Sequence, residues 1–524
     1  MIFAVLLIAF VSVSAGSVMG AEAPEEEWNR TLGGSSNDYG ASVQQTTDGG
    51  YIIAGSTHSF ATSSYDVWLI KTAANGSANW TRTFGGSAND YGSSVRQTAD
   101  GGYIVVGSTP SFGAGAADVW LIKTAANGST DWTRTFGGSA NDYGYSVQQT
   151  TDDGYIVAGS TASFGAGGYD VWLIKTAANG SAEWTRTFGG SSNDYGYSVQ
   201  QTADDGYIVA GSTNSFGAGS GDVWLLKVAA NGTANWTRTF GGSANDCGYS
   251  VQQTADGGYI VAGSTNSFGA GSGDVWLLKV AANGTANWTR TFGGSANDCG
   301  YSVQQTADGG YIVAGSTNSF GAGSGDVWLL KTAATGTAEW NSTFGGFSDD
   351  VGHAVQQTAD GGYIIAGFTH SFGAGSGDVW LIKVKGVPAE PPIFDTGPGT
   401  YPSNSGTFAG TIQPSRDLTV STLYTYPCSG TGGHTEYVTI WNSGDWNVTA
   451  TWGGYTGDWH NITFNEPFIL YANETYNYTI VTGSYPQIIH ASSYNATGGV
   501  ITCDEFVDAN GKRHDGWIPA ILLQ

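Results

Sequence analysis

Residues 258–292 read GYIVAGSTNSFGAGSGDVWLLKVAANGTANWTRTF, and the rest of the chain is variation on them. The tryptophan that closes this stretch, Trp288, belongs to a series at a spacing of 52 residues: Trp28, Trp80, Trp132, Trp184, Trp236, Trp288 and Trp340. Asp-Val-Trp-Leu keeps the same period, beginning at Asp66, Asp118, Asp170, Asp222, Asp274, Asp326 and Asp378. Residues 221–272 and 273–324 are identical throughout, the mark of a recent duplication. A fixed period near 50 residues, rich in β-branched and aromatic residues and punctuated by Gly turns, predicts an all-β array of four-stranded propeller blades.

In the fifth copy four runs have strand character: Tyr249–Thr254 (A), Gly258–Thr265 (B), Asp274–Lys279 (C) and Asn287–Phe292 (D). Asp256-Gly257 and Asn283-Gly284 are the turn signals that join A to B and C to D. B and C are nearly continuous apolar runs, which a sheet needs only when both of its faces are covered. The tryptophans of C and D are therefore expected in the core. Trp28–Leu32 is a D strand with no A, B or C before it, and the last copy stops after its C strand. The simplest arrangement gives the first strand to the last blade, making a seven-bladed β-propeller over residues 28–385 with no sheet edge at the seam.

The pattern Phe-Gly-Gly-Ser-x-Asn-Asp-x-Gly-x-Ser-Val-Gln-Gln-Thr-x-Asp-Gly-Gly-Tyr-Ile-Val-Ala-Gly resembles the propeller repeats of secreted archaeal and bacterial surface proteins. That resemblance implies a surface location and little chemistry. Residues 386–392 belong to a Pro- and Gly-rich linker. Beyond it the period vanishes, and short alternating runs over 393–524 predict a β-sandwich of jelly-roll type. There Ile393–Ser403, Tyr424–Val438 and Gly457–Phe464 resemble a module appended to exported proteins of methane-producing archaea.

The net charge is −25, from 43 acidic side chains against 18 Lys and Arg. No basic stripe exists to follow a phosphate backbone, so nucleic acid is excluded as a partner. Residues 1–20 are apolar and uncharged with small residues after them, so residues 1–23 read as a signal peptide or an N-terminal anchor. No other stretch is long and apolar enough to span a bilayer as a helix. The expected location is secreted or cell-surface.

Cys428 and Cys503 stand alone in the second module, and in an exported chain a disulfide is the expectation. Cys247 and Cys299 share one blade position, and both the bonded and the free-thiol readings stay open. Glycosylation sequons fall at Asn29, Asn75, Asn79, Asn127, Asn179, Asn231, Asn235, Asn283, Asn287 and Asn341, all in C–D hairpins or at the start of D. Asn447, Asn461, Asn473, Asn477 and Asn495 add five in the second module. Asn-Gly-Ser/Thr is also good turn chemistry, so a glycan coat and a plain turn explain the series equally.

Opposite that rim, the D–A and B–C loops carry Asp38, Asp90, Asp142, Asp194, Asp246, Asp298 and Asp350. Such a ring suits Ca²⁺ or sugar hydroxyls, but no Asp-x-Asp-x-Asp run marks a calcium loop, which favours each Asp bonding the backbone of its own turn. Apart from Ca²⁺, no cofactor is suggested. Tyr145, Tyr197, Tyr249 and Tyr301 begin strand A beside the ring and offer faces for stacking on sugars. Repetition argues against a catalytic centre, which needs a unique acid, base or nucleophile. The departures are His353, in the place of those tyrosines, and His58 and His370, at one B–C position in adjacent blades. These three are the weak metal candidates. In the second module His434, His460, His490, His514, Asp445 and Asp458 hold hydrolase or metal potential without a spacing signature. The leading expectation is a non-catalytic propeller face for multivalent contact with glycans or cell-envelope proteins. The alternatives are a polysaccharide-active enzyme and a purely structural envelope component.

Overall fold

The computed structural model describes residues 23–61, 64–386, 393–401, 403–428, 434–444, 446–453 and 461–524. The expected signal or anchor segment and nearly all of the linker lie outside them, as do Asp445, Asp458 and His460. Every regular element among the described residues is a β-strand. The chain divides into two compact units, the first ending at Gly386 and the second beginning at Val387.

The first unit consists of four-stranded antiparallel sheets, each in the order A-B-C-D. In the fifth copy the strands are Asp246–Gln253, Tyr259–Thr265, Asp274–Val280 and Ala286–Phe292. Strand A starts three residues before its sequence expectation. Asp246 and Gly248 already pair with Thr265 and Gly263, and a bulge between Gly248 and Ser250 absorbs the surplus residue. Gly257 closes A to B at φ 78°, a left-handed conformation that costs glycine little.

Strands B and C are buried along nearly their whole length, as their unbroken apolar sequence requires. Ile208, Ala210, Val223 and Leu225 of one sheet meet Val251, Tyr259, Val261 and Trp276 of the next, so each core lies between two blades. Burying one such side chain contributes roughly 1.5–3 kcal/mol. The C-strand tryptophans are core residues, Trp276 being 2% exposed. The D-strand tryptophans also pack against these cores, Trp340 fully buried and the others partly so. D is the outermost strand, so Trp80 covers the edge of Tyr103 with one part of its indole and carries the Arg82 guanidinium 5.3 Å from its ring centroid.

Glu26–Leu32 lies antiparallel to Asp378–Val384, with Trp28 opposite Lys383. The first and last repeats also share a core, in which Val43, Tyr51 and Ile53 pack with Ile364, Ala366 and Val379.

The second unit has two principal antiparallel sheets. In one, Phe394–Asp395, Ile521–Leu523, Leu418–Thr425 and Asn461–Leu470 lie in that order. The other is built on Asn447–Thr451, Thr435–Trp441, Tyr476–Thr482 and Gly406–Pro414. Phe408, Ile440 and Ile480 of the larger sheet and Leu418, Leu423 and Leu523 of the smaller belong to one core.

The expected Cys428–Cys503 disulfide is not formed. The backbone of Cys428 bonds Tyr485 and its thiol lies 3.4 Å from the Pro486 carbonyl, whereas the Cys503 backbone bonds Ser492 and its thiol faces the Glu505 carbonyl at 3.4 Å. The two thiols are thus held against different segments. Cys247 and Cys299 are likewise thiols, and burial raises the pKa of both.

Candidate binding face and central channel

The sequence Ser-Val-Gln-Gln in strand A joins one blade to the next. Its serine accepts a backbone N–H from the following blade, as Ser146 does from Val199 at 3.2 Å. Its first glutamine does the same: Gln44 Oε1 accepts from Gln97 N at 2.7 Å, and Gln148 from Gln201 N at 2.6 Å. Its second glutamine reaches the preceding blade, Gln149 Oε1 accepting from Ala99 N at 2.8 Å. The first and last repeats exchange the same pair, for Gln45 N donates to Gln356 Oε1 at 2.6 Å and Ala359 N to Gln45 Oε1 at 2.9 Å. The serines and first glutamines line a channel of about 270 Å³ that draws residues from all seven repeats. Sequence reading missed this role, because the partner is an anonymous backbone N–H some fifty residues away.

Above the serines stand the tyrosines singled out in the sequence. Tyr145, Tyr197, Tyr249, Tyr301 and His353 form a chain of tilted rings, neighbours 5.2–5.5 Å apart. Burial holds the Tyr145 and Tyr301 hydroxyls up at about 12 and pushes His353 down to about 4, so that ring is neutral at pH 7. Ala41 and Ser93 occupy the remaining two places and leave the circle of rings open on that side.

The seven aspartates Asp38, Asp90, Asp142, Asp194, Asp246, Asp298 and Asp350 are all 0% exposed. Asp246 accepts from Gly242 N at 2.8 Å, from Ser267 Oγ at 2.6 Å and from the Thr265 hydroxyl. Asp38 repeats the set with Gly34, Ser59 and Thr57. This geometry has them holding the backbone and side chains of their own loops. Each has beside it the aspartate that opens Asp-Val-Trp-Leu, which the sequence showed only as a repeat mark. Burial, opposed by a bond from Ala218 N and reinforced by Asp246, raises Asp222 to about 6.

The three histidines do not converge. His353 and His370 flank Phe368 at 5.6 and 5.1 Å, while His58 rests on Tyr65 at 5.1 Å, so aromatic rings separate them. No group of three His, Cys, Asp or Glu suited to a metal occurs among the described residues. In the second unit His434 is buried 4.1 Å from Trp452, and His490 packs edge-on to Trp517. His514 Nε2 lies 3.0 Å from Asp508 Oδ2, but Asp508 also accepts the Asn510 and Lys512 amides and so serves a turn.

The outer part of the same face offers real concavities. Phe112 and Trp120 line an open cleft of about 480 Å³ with Phe84, Thr133, Arg134 and Thr135. One repeat on, Phe136, Phe164, Trp172, Thr185 and Thr187 line its twin, also of about 480 Å³. The phenylalanine is set by its loop: Phe112 N donates to Thr109 Oγ1 at 3.2 Å, and the ring leans on Trp120 at 5.2 Å. Phe60, Phe112, Phe164, Phe216, Phe320 and Phe372 are 40–52% exposed. Exposed apolar rings repeated in register are not scattered surface noise.

On the rim, Asn29, Asn75, Asn79, Asn127, Asn179, Asn231, Asn235, Asn283 and Asn287 are exposed, while Asn341 is half-buried and accepts the Trp328 indole N–H. Asn447, Asn473 and Asn495 of the second unit are exposed, and Asn461 and Asn477 half-buried.

An all-β chain of repeated four-stranded sheets is thus the class of protein that the strand order defines. No protein-family model matches it. The regulatory protein FlaEY of Caulobacter vibrioides is 27% identical over 189 residues, 33% of this chain and 20% of that protein, so the match spans about a fifth of that relative's length. Among solved structures, the Pan2 WD40 domain of Neurospora crassa is similar at TM-score 0.40 and 10% identity, over 67% of this chain and 89% of that one. A puromycin hydrolase is similar at TM-score 0.42 and 14% identity, covering 72% of this chain and 59% of its own.

Proposed function

We propose that the chain forms one closed seven-bladed wheel, exported to the cell surface, whose loop-bearing face binds glycans at repeated sites without catalysis. Closure is supported by the pairing of Trp28 with Lys383 and by the Gln45 exchange with the last repeat. The binding reading rests on the recurrent cleft, in which a half-exposed Phe and a Trp stand beside Thr side chains. An apolar ring beside hydrogen-bonding groups suits the C–H face and hydroxyls of a sugar ring. One shallow cleft binds weakly. Several engaged by one repetitive polymer gain avidity of about 10²–10⁴. The exposed sequons of the opposite rim fit a glycan coat that leaves this face bare.

A glycan array with the whole protein tests the reading. Replacing Phe112, then Phe112 and Phe164, then Phe60 as well by Ala should reduce retention by more than the number of clefts lost. Equal binding by the triple variant removes the cleft from consideration. A hydrolysis assay run beside it separates the enzyme reading: turnover abolished by His353→Ala would replace the present one. Retention only by isolated envelope protein would redirect the site to a protein partner.

A further inference from the structure

One residue breaks the symmetry of the channel. Where six repeats place Gln44, Gln148, Gln200, Gln252, Gln304 and Gln356, the second repeat has Arg96. Each of those glutamines commits its Oε1 to a backbone N–H, at 2.5–2.7 Å. That bond fixes the amide orientation, since an N–H cannot bond the amide nitrogen. The Nε2 groups are therefore the ends left over, and none meets a protein acceptor among the described residues. Arg96 adds a guanidinium that bonds the Val95 carbonyl at 3.1 Å and forms no ion pair among them. The collar is thus a set of donors, one of them permanently charged, with its acceptors already engaged. An enclosed cation without a counter-charge is costly, and an anion relieves that cost. Ala41 and Ser93, the two small residues in the aromatic circle, stand in the Arg96 blade and the one before it, giving that side the widest approach.

We propose that the channel binds one small oxyanion, held by the Arg96 guanidinium within the ring of glutamine amides. Its volume of about 270 Å³ admits such an ion with part of its hydration shell, a bulk water taking about 30 Å³. A planar fork of donors favours carboxylate or tetrahedral oxyanions over halide. The site is separate from the outer clefts, so loss of glycan binding leaves it standing.

Isothermal titration of the full chain with sodium sulfate, phosphate or acetate at constant ionic strength tests it. The expected result is a single site for at least one of the three, with chloride much weaker; the tightest of the three identifies the source. R96Q supplies the residue the other six repeats use, so it should fold normally, and its affinity should fall by at least about tenfold. R96K, which keeps the charge and loses the fork, should fall between. No saturable binding to the wild type at millimolar anion, or equal binding by R96Q, overturns the proposal. Thermal stabilisation by sulfate without saturable binding identifies its general exclusion from protein surface.

Discussion

Asp153 and Asp205 hold φ at 63° and 60°, at the turn position where the other repeats place glycine. Aspartate tolerates the left-handed region better than most residues, but glycine enters it without a Cβ clash. D153G and D205G should each stabilise the chain by about 0.5–1 kcal/mol, read as a shift in urea midpoint at unchanged slope. The neutral His353 sets a pH response. Its native ring stays unprotonated down to about pH 4, whereas an unfolded histidine takes its proton near the ordinary 6.5. Between those values the unfolded state binds the extra proton, so the stability this residue contributes is complete above pH 6.5 and is lost as the pH falls toward 4. The loss is on the order of 3 kcal/mol. H353Y, which restores the tyrosine of neighbouring repeats, should flatten that part of the acid limb in urea titrations at pH 7 and 4.5. An unchanged slope would mean that the ring titrates as if in water.

At the scale of the element, the informative strand is Glu26–Leu32. It covers the outer edge of Asp378–Val384, and without it that edge has unpaired N–H and C=O groups ready for another chain. A protein lacking residues 23–32 should be monomeric only at low concentration and melt earlier, by light scattering and calorimetry; an unaltered melting curve would exclude a closing role. Strand content was legible because its signals are local: Asn283-Gly284 marks a turn by itself, and Val275–Leu278 reads as doubly buried without a partner in view. The partial exposure of the D-strand indoles was not legible, because hydrophobicity does not reveal which strand lies outermost. Ser-Val-Gln-Gln was passed over for a related reason, since its glutamines could equally have faced water. The carboxylates illustrate a third limit. Asp246 was visible as a repeat, but its burial depends on Ser267 and Thr265, which reach it only once strands A and B have paired.

For the whole molecule, a wheel and an open stack make opposite forecasts about loss of a unit. The copies 221–272 and 273–324 are identical, so removing the second creates a junction already built for its neighbour. An open stack, in which stability is roughly a sum of units and interfaces, should lose only its share. In a wheel the glutamine bridges of 2.5–2.8 Å tie each blade to its neighbours around one channel. The 52-residue deletion should then fail to close and either assemble into multimers or lose more than about 10 °C in melting temperature, several kcal/mol on a large cooperative unit. A monomer melting within a few degrees of the parent would contradict the ring.

The junction of Trp28 with Lys383 also imposes an order on biosynthesis. Glu26–Leu32 leaves the ribosome before Asp378–Val384 and has no mate until almost the entire repeat array has followed it. Sheets made from neighbouring segments can assemble in succession, but the one that pairs Glu26–Leu32 with Asp378–Val384 waits on a contact between remote parts of the chain, the slow kind. Until then both halves of the unfinished sheet are adhesive, and a cell that makes this protein has reason to hold them apart until the latch is in reach.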